Sequence, residues 1–109
     1  MNTTDNTPPQ IPAPIQMLQL MAGFQVSQAL YVAAKLDLAT ILGNGPQTID
    51  QLAAETNANA DALGRIIRFL ATLGVFRTDG DQVEITELGA TLADDRPGSL
   101  RYAALARWT

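Results

Sequence analysis

The chain of 109 residues contains no cysteine and no histidine. The lack of cysteine excludes a disulfide framework, a thiolate metal site and a cysteine nucleophile. The lack of histidine removes the side chain most often used as a general base near neutral pH and the commonest ligand of transition metals. We therefore assign no catalytic, cofactor-binding or metal-ligating residue to this chain.

Basic side chains are also scarce: seven Lys and Arg face eleven Asp and Glu, for a net charge of −4. An acidic surface repels phosphate backbones and anionic lipids, so we expect neither nucleic acid nor a membrane as a partner. The longest apolar runs, ALYVAA and LATIL, are far shorter than the roughly 18 to 20 residues that span a bilayer. The N-terminus is polar and predicts no signal peptide, so we expect a cytoplasmic location.

Apolar residues make up 47% of the chain, which is typical of one packed domain of this length. Residues 1–14 hold four of the six prolines and are predicted to form a flexible leader. We expect the domain itself over residues 15–97 and the start of a further helix over 98–109.

A long helix is predicted from Ile15 to about Leu36, and its apolar residues do not keep to one stripe. A helix that is apolar nearly all round must be buried nearly all round. A chain this small cannot easily surround about 22 residues of helix, roughly 33 Å long, so a second copy of the chain is the expected cover. The predicted dimer-interface residues are Ile15, Leu18, Met21, Leu30 and Tyr31.

The next segment has the pattern of a helix-turn-helix. Asp37 is predicted to cap a short helix over 38–42. Thr48 and Gln51 fit a capping box for a helix over 49–56. Asn59 or Asp61 starts a helix over 60–73, whose apolar residues follow the helical period and which ends at Gly74.

A β-hairpin is predicted next, with strands at 75–78 and 82–86 joined by the three residues Asp79-Gly80-Asp81. Thr86 is expected to cap a helix near 87–94. One more amphipathic helix follows, with Leu100, Ala104, Leu105 and Trp108 on one side. The predicted fold is mainly α, a winged helix-turn-helix with a long N-terminal dimerisation helix and one small β-hairpin.

Many winged helices bind DNA, but the charges here do not favour that use. Residues 46–92 contain three basic against seven acidic side chains, and the tip of the hairpin is acidic. Binding of phosphates by counterion release is therefore largely unavailable. Arg65 and Arg68 fit a solvated helix edge, with Arg65 paired to Asp61. A dimeric DNA-binding transcription regulator stays the alternative function, and a module that holds a small apolar ligand between protomers is a third.

The order of several segments resembles a known family. These segments are GF..SQALYVAAKLDLATIL (23–42), GP.TIDQLA (45–53), DALGRIIRFLATLGVF (61–76) and T.LG (86–89). Together they are similar to the N-terminal dimerisation domain of the S-adenosylmethionine-dependent O-methyltransferases that act on small molecules, the plant-type and bacterial natural-product enzymes.

The resemblance implies a homodimer in which the first helix interlocks with a second subunit. It also implies that S-adenosylmethionine is bound by a separate Rossmann-like domain, so that residues 98–109 begin a connection toward a catalytic domain that this chain lacks. We expect no cofactor on the chain itself and a small-molecule acceptor in the parent enzyme. By the same resemblance, Met17 and Phe24, with Met21 beside them, are candidates for the wall of a substrate pocket.

Overall fold

The computed structural model describes residues 11–95 and 97–106 of the chain. These residues form five α-helices, three short strands and one 3₁₀ helix. In chain order they are α1 (Ala13–Lys35), α2 (Leu38–Leu42), β1 (Gln47–Thr48), α3 (Ile49–Thr56), α4 (Ala60–Thr72), β2 (Phe76–Asp79), β3 (Gln82–Ile85), the 3₁₀ helix (Gly89–Leu92) and α5 (Arg101–Ala106).

Helix α1 begins two residues before the predicted start. Pro14 lies in its first turn, where proline is tolerated because the N–H that it lacks would have no partner within the helix. The first ten residues of the predicted leader lie outside the described residues. No helix in the described ranges is long and apolar enough to cross a membrane.

The helix-turn-helix is confirmed together with its caps. The Thr48 hydroxyl accepts from the Gln51 N–H at 3.1 Å, and the Gln51 side chain accepts from the Thr48 N–H at 2.8 Å. Asn59, not Asp61, caps α4, because its side-chain oxygen accepts from the Ala62 N–H at 2.9 Å. Gly74 has a φ of +87° just beyond α4, the left-handed conformation that closes many helices.

The predicted cap at Asp37 is wrong in its mechanism. Asp37 precedes α2 as expected, but its φ of 57° and ψ of 42° are left-handed and its side chain makes no capping bond. A capping residue needs extended backbone to turn its side chain over the first helical N–H groups. Instead, the Asp37 carboxylate accepts from the Thr40 hydroxyl at 2.8 Å.

The hairpin belongs to a three-stranded antiparallel sheet with the order β1-β3-β2. The sequence pattern did not reveal β1, which is only two residues long and pairs with Val83 and Gln82 of β3. The predicted three-residue loop is also wrong. Asp79 pairs with Gln82, which leaves a two-residue turn, and Gly80 supplies its positive φ of 64°.

The helix predicted over 87–94 is a short 3₁₀ helix over Gly89–Leu92, and its N-cap residue is Leu88, not the predicted Thr86. Thr86 lies before it, and its hydroxyl accepts from the Gly89 N–H at 3.1 Å. The Thr86 hydroxyl also lies 2.6 and 2.8 Å from the carbonyl oxygens of Gly74 and Val75. A side chain at Gly89 would collide with the Val75 carbonyl. Gly89 therefore lies directly against Val75, the residue before β2, and this contact requires a glycine.

The core lies between α2, α3, α4 and β3. Its largest fully buried side chains are Leu38, Leu52, Leu63, Ile67, Leu70 and Val83. Helix α1 reaches this core through small residues near its C-terminal end, of which Ala29 and Ala33 belong to the buried cluster.

Candidate dimerisation surface

Helix α1 consists of two parts with opposite surroundings. Every residue from 11 to 25 is exposed, whereas the part from Val26 onward packs on α2, α4 and α5. We call residues 13–25 the projecting segment. Because of it the described chain measures 58 × 31 × 25 Å, with a radius of gyration of 17.0 Å, compared with about 13 Å for an ordinary domain of this length.

Three of the five predicted interface residues lie on the projecting segment. Ile15, Leu18 and Met21 are 45%, 58% and 55% exposed. Met17 and Phe24, the predicted pocket-wall residues, are exposed on the same segment. Leu20 is the most exposed of these large apolar side chains, at 70%.

The other two predicted residues lie apart from this set. Leu30 is partly buried and packs against the core. Tyr31 is half-buried, with its hydroxyl 3.5 Å from the Lys35 ammonium. The structure therefore places the predicted interface residues in two environments along α1, not on one continuous face.

A second set of exposed apolar side chains was not predicted as a surface. Leu73, just after α4, follows the helical period of that helix but is 45% exposed. Leu88 and Leu100 are also more than half exposed. No sequence signal joins these three leucines, since they come from different elements and meet only in the folded chain.

The three leucines line a groove between α1, the base of the hairpin and α5, with a volume of about 440 Å³. We call it the leucine groove. Its lining residues are Val26, Leu30, Leu73, Val75, Leu88, Thr91, Leu92, Leu100, Ala103 and Ala104.

On the other side of α1 lies a cleft against α4, with a volume of about 680 Å³. We call it the α1–α4 cleft. Its walls combine apolar and polar side chains, namely Gln25, Gln28, Ala29, Tyr31, Val32, Arg65, Ile66 and Phe69.

The α4 helix and the hairpin carry little that suits a nucleic-acid backbone. Arg65 and Arg68 are exposed on α4, and the Arg65 Nε lies 3.5 Å from the backbone carbonyl oxygen of Asp61. Arg77 on the hairpin is already paired with Glu84 at 2.9 Å. Among the residues described, no three acidic side chains lie close enough together to hold a metal ion.

Arg101 joins the C-terminal end of α1 to the start of α5. Its Nε donates to the Ala34 carbonyl at 2.7 Å and lies 3.5 Å from the Asp37 carboxylate, while its terminal nitrogen lies 3.4 Å from Asp94. The Asp94 N–H in turn donates to the Thr40 hydroxyl at 2.8 Å. The Arg101 side chain is only 18% exposed. Its planar guanidinium, with donors in a rigid arrangement, holds the start of α5 against α1.

A family model described as the O-methyltransferase dimerisation domain matches residues 18–95, which include most of α1, the helix-turn-helix and the hairpin. The chain belongs to this family. Its fold class, and its role as a dimerisation domain of O-methyltransferases, are those that the sequence predicted.

Known proteins similar to this dimerisation domain are much longer. Phenazine O-methyltransferase PhzM of Lysobacter antibioticus is 39% identical over 104 residues, which cover 94% of this chain and 30% of the relative. The crystal structure of LaPhzM matches with a TM-score of 0.80 and 41% identity, over 87% of this chain and 29% of that one.

The SAH-bound crystal structure of CalO1, a methyltransferase in calicheamicin biosynthesis, matches with a TM-score of 0.75 and 34% identity, over 88% of this chain and 30% of that one. The dimerisation domain therefore spans about a third of the length of the relatives it matches. The segments that resembled the family lie within the aligned part.

Proposed function

We propose that this domain pairs with a second copy of itself through the projecting segment of α1. The observation that carries the proposal is the exposure of every residue from 11 to 25, among them seven large apolar side chains. Contiguous apolar surface of this kind on a soluble domain marks an interaction site. Ile15, Leu18 and Met21 are the central contacts proposed for it.

The first test measures whether the domain is a dimer. Light scattering at micromolar concentration is expected to give twice the monomer mass. Leu20→Glu places a carboxylate where the interface would be dry, so the dimer dissociation constant should rise about 100-fold or more. Ala54→Glu, on the exposed face of α3, is the matched control and should leave it unchanged. A wild-type chain that stays monomeric, or a Leu20→Glu variant that dimerises normally, contradicts the proposal.

We propose further that the dimer is the core of an S-adenosylmethionine-dependent enzyme that methylates a small molecule, with the transfer carried out by a separate domain. The methyltransferase relatives and the SAH-bound form of CalO1 support this. Calorimetry of the chain with S-adenosylmethionine is expected to detect no binding. Binding of S-adenosylmethionine at one site per chain would place the cofactor on this domain. It would contradict the proposal that a separate domain carries out the transfer.

Met17 and Phe24 are proposed to reach the acceptor pocket of the parent enzyme, because both are exposed at one end of the molecule, away from the core. In a parent enzyme, Phe24→Ala should raise KM for the acceptor and leave KM for S-adenosylmethionine unchanged. An equal rise in both would contradict a role in acceptor binding.

We also propose that the parent enzyme is located in the cytoplasm, which cell fractionation checks.

The alternative function, a DNA-binding regulator, has less support, because residues 46–92 carry seven acidic against three basic side chains. Fluorescence anisotropy with random duplex DNA at low salt separates the two functions. Salt-sensitive binding would favour the regulator.

A further inference from the structure

The α1–α4 cleft has the size and the lining of a small-molecule site. Its volume of about 680 Å³ lies within the roughly 300 to 1,000 Å³ that is typical of ligand pockets. Tyr31 and Val32 of α1 and Ile66 and Phe69 of α4 are half-buried along its two walls. Ligand pockets combine such an apolar lining with a few polar groups that fix the orientation of the ligand. The polar side chains of the cleft therefore decide which ligand fits it.

Within the described residues, Arg65 is the charged side chain of the cleft lining, and no acidic side chain lies beside it there. The ion pairs of the described ranges involve Arg77 and Arg101, and Arg65 belongs to none of them. Asp61 contacts Arg65 through its backbone carbonyl oxygen, not through its carboxylate. The α1 wall supplies no counter-charge, because residues 11–34 contain no charged side chain. The Arg65 guanidinium can therefore bind an anion that enters the cleft.

A second positive charge borders the cleft on the α1 side. The Lys35 ammonium lies 5.7 Å from the centre of the Tyr31 ring and 3.5 Å from the Tyr31 hydroxyl. Positive charge therefore lies on both sides of the cleft, although the net charge of the chain is −4. Charges of one sign around a cleft concentrate the field inside it, so this cleft favours an anionic ligand.

The remaining side chains indicate the shape of that anion. Tyr31 and Phe69 place one aromatic ring on each wall, and aromatic rings pack best against other rings. A planar guanidinium such as that of Arg65 binds a carboxylate through two parallel hydrogen bonds. Gln25 and Gln28, which are exposed at the edge of the cleft, carry amides that can bind further polar substituents. This set of groups suits a carboxylate attached to fused aromatic rings.

The other grooves suit such a ligand less well. The leucine groove has no ionisable side chain in its described lining, so it has no group that would bind a carboxylate. The grooves at the hairpin contain Arg77, but that guanidinium is already paired with Glu84 at 2.9 Å. An uncharged helix laid over the α1–α4 cleft would bury Arg65 without a partner, which is costly.

We infer that the α1–α4 cleft binds an aromatic carboxylic acid, with its carboxylate on the Arg65 guanidinium and its rings against Tyr31 and Phe69. All the residues of this site belong to one chain. The inference therefore goes beyond the proposed function and does not depend on dimerisation.

An NMR titration with 2-naphthoate tests both the location and the affinity of the site. The methyl signals of Val32 and Ile66 should shift, because the ligand rings lie beside them, whereas those of Leu88 in the leucine groove should not. We expect one site per chain with a dissociation constant of about 1 mM or lower.

Removal of the positive charge tests how the acid is recognised. Arg65→Gln keeps a polar side chain but should raise the dissociation constant of 2-naphthoate about 10-fold or more, since a hydrogen bond to a charged group is lost. Arg68→Gln, exposed on the same helix and outside the cleft lining, is the matched control and should change it less than about 2-fold. The neutral probe 2-naphthamide should bind more weakly than 2-naphthoate and equally to wild type and Arg65→Gln.

Removal of a ring tests the aromatic part of the site. Phe69→Leu should raise the dissociation constants of both probes about 3-fold or more. Tyr102→Leu, on the exposed side of α5, is the control and should change neither. Far-UV circular dichroism checks that both variants fold.

The outcomes for this site and for the dimer are independent. Wild type and Leu20→Glu should bind 2-naphthoate equally, and a monomeric wild type that binds it supports the inference although the proposed function fails. Binding to Leu20→Glu alone would mean that a second copy covers the cleft, which overturns the inference and leaves the proposed function intact. Unshifted signals of Val32 and Ile66, or an unchanged dissociation constant in Arg65→Gln, would also overturn the inference.

Discussion

The two parts of α1 belong to one continuous helix but differ in the size of their apolar side chains. The part that packs on the body uses Ala29, Ala33 and Ala34, all buried, which let the helix approach its neighbours closely. The projecting segment carries Met, Leu and Phe side chains that stand in solvent. The fully buried contacts of this helix are therefore made by alanines, whereas its most exposed apolar side chains are large.

The largest expected effect comes from removing the projecting segment altogether. A chain of residues 25–109 keeps the core of the described residues, in which Ala29 is the first core residue. It should remain folded and lose dimerisation completely. Light scattering and circular dichroism measure the two properties. A truncated chain that unfolds would show that the two parts of α1 are not independent, and one that still dimerises would move the interface elsewhere.

Replacement of an alanine by leucine in each part of α1 tests the difference between the two parts. Ala33→Leu overfills a site that is 2% exposed and should lower the free energy of unfolding by about 1 to 3 kcal/mol. Ala22→Leu, in the exposed segment, should change it by less than about 0.5 kcal/mol. Urea unfolding of both variants in the Leu20→Glu background, which is expected to be monomeric, measures the two changes without a contribution from the dimer interface. Equal losses would mean that the segment is packed within its own chain.

Arg101 tests how the packed part of α1 is tied to α5. Arg101→Met removes a charged donor from the Ala34 carbonyl and from two carboxylates, and should cost about 1 to 3 kcal/mol. Hydrogen exchange at the Ala104 amide of α5, which donates to the Leu100 carbonyl just before that helix, should speed up. Arg77→Met is the control and should leave that amide unchanged. Unaltered exchange in Arg101→Met would mean that apolar packing alone holds α5.

The smallest effect on stability is expected from a substitution on the hairpin, outside both parts of α1. Arg77 and Glu84 have side chains that are 68% and 48% exposed, and a pair so well solvated contributes less than about 0.5 kcal/mol. Arg77→Ala should therefore leave the urea midpoint almost unchanged and the dimer constant the same. A loss similar to that of Ala33→Leu would give the hairpin a role in stability that its contacts do not explain.

The parts of the fold that the sequence predicted correctly depend on interactions between residues that are close together in the sequence. The capping box at Thr48 and Gln51 and the helical period of α4 act within one or two turns, so they can be read without knowing what packs nearby. The position of β1 could not be read in this way. Gln47 and Thr48 form a strand because β3 lies beside them, and two residues are too few to show the alternating pattern of a strand.

The candidate surface shows the same division. The apolar character of residues 15–24 is visible in the sequence, because it concerns one helix. The leucine groove is not visible, because Leu73, Leu88 and Leu100 are brought together by the sheet and the 3₁₀ helix. Leu73 follows the period of α4 but lies where the helix ends and the chain turns away, so it is exposed although it keeps the period of the buried residues.

The anchoring of α1 has a mechanical consequence for the far end of the helix. The projecting segment of residues 13–25 is about 20 Å long, so a tilt of about 10° where α1 meets the body displaces the tip sideways by about 3.5 Å. That displacement is similar to the separation of two carbon atoms in contact, about 3.5 to 4.0 Å. The closely packed alanines at the base of α1 and the contacts of Arg101 with its last turn therefore fix the direction of the helix. A small change in that direction becomes a larger displacement at the tip.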